Sequence, residues 1–329
     1  MPIFKRIGGE LNISAQCKKY GLSLWQCPQF LFLVMGIIII VSTVATYFIG
    51  RRYVDDPDKI AIITFSLTAA LFIIAFTITN SFERLAEASR MKSEFISIVS
   101  HQLRSPLSNL KWAIEFLMSG RLGPIAAEQL EYFKILKENS GRMGELISDL
   151  LTVSRIEQGT LPLKKKEVII EDLINQLIRD FEPFAKASNM EIKFVTEPNL
   201  PKVYADPLQI KVVIENLLDN AIRYMNPSEE NIIRQSKKGG SIEVTVGKRK
   251  GLVYCEVKDS GVGIPRADQK YIFQKFFRSE NVMRYQTQGS GLGLYITKGI
   301  IEKSGGKMGF RSEEGRGTTF WFTIPIFTK

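Results

Sequence analysis

The sequence predicts a multidomain chain: two transmembrane α-helices, an all-α hairpin that pairs into a four-helix bundle as a dimer, then an α/β two-layer sandwich. Three observations carry this. Two long stretches near the N-terminus hold no charge, QFLFLVMGIIIIVSTVATYFIG at 29–50 and IAIITFSLTAALFIIAFTITNSF at 60–82. Between Phe95 and Leu150 apolar residues recur in helical steps. From about residue 163, short β-favouring runs alternate with helical ones. At 329 residues the chain can build two or three domains, each with its own core.

Each uncharged stretch exceeds the roughly 20 residues an α-helix needs to cross about 30 Å of hydrocarbon. The first is too long for a signal-peptide core and lacks a small-x-small cleavage site. RRYVDDPDK, nine residues, separates the two and is too short to fold into a ligand-binding domain. Lys5, Arg6, Lys18 and Lys19 precede the first span, and Arg84, Arg90 and Lys92 follow the second. The loop holds Arg51, Arg52 and Lys59. The positive-inside rule therefore places both ends in the cytoplasm, with residues 1–28 as a cytoplasmic N-terminal segment.

The net charge of +10 does not indicate a nucleic-acid partner, because no zinc spacing, helix-turn-helix pattern or aromatic-basic platform accompanies it. Anionic lipid beside the membrane and a polyphosphate ligand account for it more simply. Cys17, Cys27 and Cys255 form neither CxxC pairs nor a disulfide framework, which fits a reducing compartment.

After the second span, FERLAEASRMKSEF runs without a break into ISIVSHQLRSPLSNLKW. Phe95, Val99, Leu103, Leu107, Leu110, Ile114 and Leu117 form one stripe, which Gly120 and GPI at 123–125 stop. A second stripe, Leu130, Phe133, Leu136, Met143, Ile147 and Leu150, ends near Gly159. Two such helices make an antiparallel hairpin whose stripe stays wet until a second copy covers it. His101 is the only histidine in the chain and lies about 200° around the helix from the stripe, so it faces solvent. Pro106 removes a backbone donor and should bend the helix around Gln102.

In the third region EIKFV, SIEVTV, LVYCEV and TTFWFTIP read as strands, and 171–188, 208–225 and 292–304 as helices. NPSEENIIRQSKKGG at 226–240 reads as a flexible insertion. In VVIENLLDNAIRYM, Asn216 and Asn220 share a helix face that Arg223 and Tyr224 continue, beside the apolar line of Val213, Ile214, Leu217 and Ala221. Amides bordering a core need partners. They can be water-bonded surface groups, or a face offering oxygens to Mg²⁺ and a cation to phosphate. In VKDSGVGIP, Asp259 ends a strand before a D-x-G-x-G turn, a pattern common in hairpins but also able to hold a carboxylate for an amino group. In GSGLGLYITKGI, Gly289, Gly291 and Gly293 run into a helix N-terminus, which favours phosphate. The spacing is GxGxG and the preceding RYQTQ is no strand, which excludes a dinucleotide fingerprint; no Lys-Ser or Lys-Thr follows, which excludes a Walker loop.

The order of these motifs says more than any one of them. SHQLRSPL, ENLLDNAIRY, DSGVGIP, IFQKFFR at 272–278 and GSGLGL, followed by GRGTTF at 315–320, resemble the H, N, G1, F and G2 boxes of the sensor histidine kinases of bacterial two-component systems. The resemblance covers about residues 85–329. It implies a dimerisation and phosphotransfer hairpin at 83–160 and a gyrase/Hsp90-type ATP-binding domain at 161–329, carried by a two-pass protein of the cytoplasmic membrane. It makes His101 the phospho-acceptor, with Gln102 and Ser105 beside it, and a response regulator's aspartate the destination of the phosphoryl group. Asn220 becomes the Mg²⁺ ligand with Asn216 its neighbour, Arg223 and Arg278 phosphate contacts, Tyr224 a flank of the base, and Asp259 the acceptor for the adenine amino group of ATP. Gly261, Gly263, Gly289, Gly291 and Gly293, with Phe277, Leu292 and Thr318, complete the nucleotide set, and 264–290 is implied to be a lid.

One departure bears on rate. Relatives often follow the histidine with an acidic residue, where this chain has Gln102, which orients a ring but is a poor base. Slow autophosphorylation is therefore expected. Ser105 stands where relatives often have Thr or Asn, and its hydroxyl can position water for dephosphorylating the partner. About a dozen residues between span and hairpin leave no room for a HAMP or PAS module. The signal then comes from within the membrane, from an accessory membrane protein or through the N-terminal 28 residues. Two rival readings are a degenerate membrane-anchored ATP-binding scaffold and an ATPase or chaperone of the gyrase/Hsp90 fold. The latter would want a glutamate where Asn216 stands, and Glu215 is turned about 100° off that face.

Overall fold

A computed structural model describes residues 28–225, 240–279 and 289–327. Lys5, Arg6, Lys18, Lys19, Cys17, Cys27, the insertion at 226–239, RYQTQ and residues 280–288 of the expected lid lie outside the described residues. The described chain divides into two units, one running to Leu103 and including Glu157–Thr160, the other comprising Arg104–Ile156 and everything from Leu161.

The first unit contains helix α1 (Pro28–Tyr53) and the start of α2 (Pro57–Met118). Both helices are long and apolar enough to cross a membrane. They meet through small and hydroxyl side chains: Thr43 and Thr68 share a 2.9 Å Oγ1–Oγ1 hydrogen bond, and Gly50 lets Ile60 approach. The expected nine-residue loop is shorter, because 51–53 continue α1 and 57–59 already belong to α2. Arginine and lysine are good helix formers, so charge did not end the helix there. Asp56 caps α2, its Oδ1 accepting from Asp58 N at 3.1 Å, with Pro57 in the first turn, where a missing N–H does no harm. His101 and Gln102 stand exposed on α2. Along this stretch the buried residues are Ser93 and Ser100, while Phe95 and Leu103 of the expected stripe are exposed.

In the second unit, the end of α2 packs on α3 (Ala127–Glu157) as an antiparallel hairpin. Leu107 touches Gly144, Glu115 pairs with Lys137 at 3.8 Å, and Ile114 is buried. Leu110, Leu117, Leu136 and Met143 remain exposed in the single chain.

The α/β part follows: β1 (Lys166–Val168), α4 (Ile170–Ala187), β2 (Met190–Thr196), β3 (Val203–Ala205), α5 (Pro207–Met225), β4 (Gly240–Arg249), β5 (Leu252–Asp259), α6 (Gly293–Lys303), β6 (Lys307–Glu313) and β7 (Gly317–Pro325). The main sheet has the order β2-β4-β5-β7-β6, parallel only between β2 and β4; β1 and β3 form a separate antiparallel pair. Alternate residues of the central strands face inward, Ile242, Val244 and Val246 from β4 and Phe320, Phe322 and Ile324 from β7. They bury Ile174 and Leu177 of α4, Ile210, Ile214 and Leu217 of α5, and Ile300 and Ile301 of α6. The end of α3 joins this core through Val153, with Ile156 against Gly299. The sandwich is therefore two layers, helices on one face of the sheet.

Candidate functional site

Helix α5 forms one wall. Asp206 starts it, with Oδ1 accepting from Leu208 N at 3.0 Å and Oδ2 from Lys164 N at 2.7 Å. With Ile210, Val213, Ile214, Leu217 and Leu218 locked into the core, Asn216 and Asn220 are left half-buried at its border. Arg223 Nε donates to Asp219 Oδ2 at 2.7 Å. Burial works against the Arg223 guanidinium, but the bond and charge of Asp219, helped by Tyr224 and Glu145, hold it above its ordinary value. Burial pushes the Tyr224 phenol up, opposed by the nearby charges of Arg278 and Arg223.

The end of β5 forms the back. Asp259 is buried, and its Oδ1 accepts from Gly261 N at 2.9 Å and Thr318 N at 3.1 Å. Among the described residues Oδ2 receives no hydrogen bond and remains an acceptor. Burial raises the Asp259 carboxyl above the usual carboxylate range, against the pull of those two amides. The turn after it closes on α5, Val262 N donating to Tyr224 O at 3.2 Å. Gly261 is required there, since a Cβ would lie 2.5 Å from that same carbonyl oxygen.

The glycine-rich loop forms the third wall. Phe276 N donates to Gly291 O at 3.0 Å, tying the loop to the turn that carries Phe277 and Arg278. Ser290 Oγ accepts from Leu292 N at 3.2 Å and donates to Asp149 Oδ2 of α3 at 3.2 Å. Gly293 begins α6 against Asn216, whose Oδ1 would lie 3.0 Å from a Cβ there.

Together these walls enclose a cavity of about 920 Å³. Asn216, Asn220, Arg223, Tyr224, Asp259, Gly263, Phe277, Arg278, Gly289, Gly291, Gly293 and Thr318 all line it. Gly261 and Leu292 do not: Gly261 sits under the Tyr224 carbonyl, and Leu292 is a buried core residue. Ser105 stands exposed on α2, outside the cavity lining. The sequence reading missed Asp219, Ser290 and the α3 residues Arg142, Glu145 and Asp149, which also line the cavity. The i, i+4 spacing of Glu145 and Asp149 marks a shared face, but nothing local says what that face meets.

The site offers the buried Asp259 with one carboxylate oxygen that accepts no hydrogen bond among the described residues, a row of glycines before a helix N-terminus, and three arginines, Arg142, Arg223 and Arg278. That set suits a purine nucleotide carrying phosphates. Among the described residues no group of three or more His, Cys, Asp and Glu side chains is placed to hold a metal. Asn216 and Asn220 supply amide oxygens, so a Mg²⁺ here would take its remaining ligands from phosphate and water.

Comparison with known proteins agrees with this geometry. Residues 91–159 match the family described as "His Kinase A (phospho-acceptor) domain". Residues 205–328 match "Histidine kinase-, DNA gyrase B-, and HSP90-like ATPase". Drug sensory protein A of Synechocystis is 32% identical over 244 residues, 74% of this chain and 36% of that protein. Sensor histidine kinase GacS of Pseudomonas protegens is 31% identical over 241 residues, 73% of this chain and 25% of that protein. The chain thus spans about a quarter to just over a third of these relatives. Among solved structures, full-length ShkA in complex with AMPPNP superposes with TM-score 0.60 at 27% identity, over 72% of this chain and 46% of that one. The catalytic domain of histidine kinase ThkA is 31% identical and covered over 96% of its length, 50% of this chain, with TM-score 0.41.

Proposed function

The chain belongs to the sensor histidine kinases of bacteria, and on that premise we propose that it is a two-pass membrane protein that, as a homodimer, phosphorylates its own His101 from Mg-ATP. The phosphoryl group then passes to an aspartate of a response regulator. The observation that supports this best is the cavity itself, where residues from four separated motifs converge around the open Oδ2 of Asp259. ThkA has been crystallised with the response regulator TrrA, which supports the class of partner. In this reading residues 83–160 are the phosphotransfer hairpin and 161–329 the ATP-binding domain, with both chain ends in the cytoplasm.

The chemistry assigns each group a task. Asp259 Oδ2 accepts the exocyclic N–H of adenine, and Tyr224 flanks the base. Arg223, Arg278 and the amides at the start of α6 bind the phosphates. Mg²⁺, held by Asn220 with Asn216 beside it, would neutralise charge building on the phosphate oxygens. A lone-pair nitrogen of His101 forms the N–P bond as the bridging O–P bond breaks and ADP departs. The proton on the other ring nitrogen must then leave; the amide oxygen of Gln102 can accept its hydrogen bond but cannot take the proton. Exposure of His101 leaves the ring open to an incoming nucleotide and, afterwards, to the aspartate. An exposed Ser105 hydroxyl suits the water-positioning needed for phosphatase activity.

Labelling of the detergent-solubilised chain with γ-³²P-ATP and Mg²⁺ tests the proposal. Acid-labile, base-stable label, absent from His101→Ala, is the expected result. Label persisting in that variant would put the acceptor elsewhere. An unlabelled parent that still binds ATP would favour a signalling scaffold.

A further inference from the structure

The hairpin places three carboxylates on the cavity lining, Glu138, Glu145 and Asp149, among the cations Lys111, Lys134, Lys137 and Arg142. Glu138 is paired with Arg142 at 2.9 Å, which leaves Glu145 and Asp149. Resting on the nucleotide reading above, we propose that these two side chains compete with the nucleotide's phosphates, so that contact of α3 with the glycine-rich loop and binding of a polyphosphate oppose each other.

Three observations carry the proposal. Asp149 Oδ2 accepts from Ser290 Oγ, and the same Oγ accepts from Leu292 N, so an α3 carboxylate is coupled through one hydroxyl to the loop that opens α6. A carboxylate near the start of a helix occupies a position that also suits a phosphate. Glu145 shares the cavity with Arg223, whose guanidinium already bonds Asp219, and its charge is the weakest of those that favour the Arg223 cation. Both carboxylates lie within the same 920 Å³ cavity as Asn216, Asn220 and Gly291. Burial and Glu145 push the Asp149 carboxyl up, against its hydrogen bond from Ser290, the signature of a desolvated acid with a like charge close by.

A triphosphate entering this cavity adds several negative charges beside the carboxylates that already line it. It gains full access to Ser290, the loop amides and Arg223 only as Asp149 and Glu145 give them up. Coupling of this kind is reciprocal: if docking of α3 weakens nucleotide binding, nucleotide weakens docking by the same factor. Adenosine, which lacks phosphates, should be indifferent to it.

The test is equilibrium binding to the full chain in detergent, using a non-hydrolysable ATP analogue with Mg²⁺ and, separately, adenosine. The Glu145→Gln, Asp149→Asn double variant should bind the analogue roughly fivefold or more tightly than the parent. Its affinity for adenosine should be unchanged, and Asp149→Glu, which keeps the charge, should not tighten analogue binding as the double variant does. Unchanged or weaker analogue binding by the double variant overturns the proposal, the weaker case meaning that the carboxylates assist the metal. Equal tightening toward adenosine also overturns it, because the effect would then not concern phosphate. A parent and variant that bind neither ligand would overturn the nucleotide reading itself, and this proposal with it.

Discussion

The amide of Thr318, at the start of β7, donates at 3.1 Å to Oδ1 of Asp259, at the end of β5, 59 residues earlier in the chain. With Gly261 N on the same oxygen at 2.9 Å, the carboxylate is clamped by one edge and its Oδ2 is turned to the cavity. Asp259→Asn should weaken ATP binding about 10- to 100-fold, the loss of a charge-assisted hydrogen bond, with little change in the far-UV circular dichroism. A binding isotherm that matches the parent would remove Asp259 from adenine recognition.

The same residue predicts a pH dependence. Burial holds its folded pKa above the unfolded value of 3.8, so the folded state binds the proton more tightly. Its contribution to stability is therefore fully present below the unfolded pKa and is lost as pH rises through the folded one. In thermal unfolding from about pH 4 to pH 7, Asp259→Asn should gain stability relative to the parent as pH increases. A parent-variant difference that stays flat over this window would show that the desolvation is compensated.

Gln102→Glu should raise the autophosphorylation rate at least about tenfold, since general-base help is worth about 10²–10⁴ in favourable geometry. Single-turnover labelling at saturating ATP measures it. A variant no faster than the parent would mean that proton removal from His101 does not limit the step.

Gly263 has φ of +66°, and a Cβ there would lie 2.1 Å from the Glu313 carbonyl oxygen. Gly263→Ala should therefore cost about 2 kcal/mol or more, lowering Tm by roughly 4–8 °C, and should loosen the β6–β7 turn against the site. Gly141→Ala, in helical backbone with open space around it, serves as the comparison and should not destabilise. Equal melting of the two variants would contradict the close approach.

Much of the architecture was legible because it rests on local pattern. The longer strands β2, β4, β5 and β7 alternate or run apolar, and α5 and α6 carry full apolar faces. What escaped was short or locally ambiguous. The three-residue strands β1 and β3 are too brief for any period, and KMGFRSE of β6 contains a glycine and three charges. In the single chain Phe95 and Leu103 of the hairpin stripe are exposed while Ser93 and Ser100 are buried. Periodicity names the apolar face of a helix, but which edge of that face a single neighbour covers depends on where the neighbour lies.

By itself the sequence determined two apolar helices long enough to cross a membrane, an exposed lone histidine, and five motifs in family order, because each is written in a contiguous run of residues. The tertiary structure alone decided that Asp259 keeps one oxygen for the cavity, and that Ser290 bonds Asp149 across 141 residues. Such pairings are set by how helices and strands pack, and packing joins positions whose separation along the chain carries no signal of their meeting.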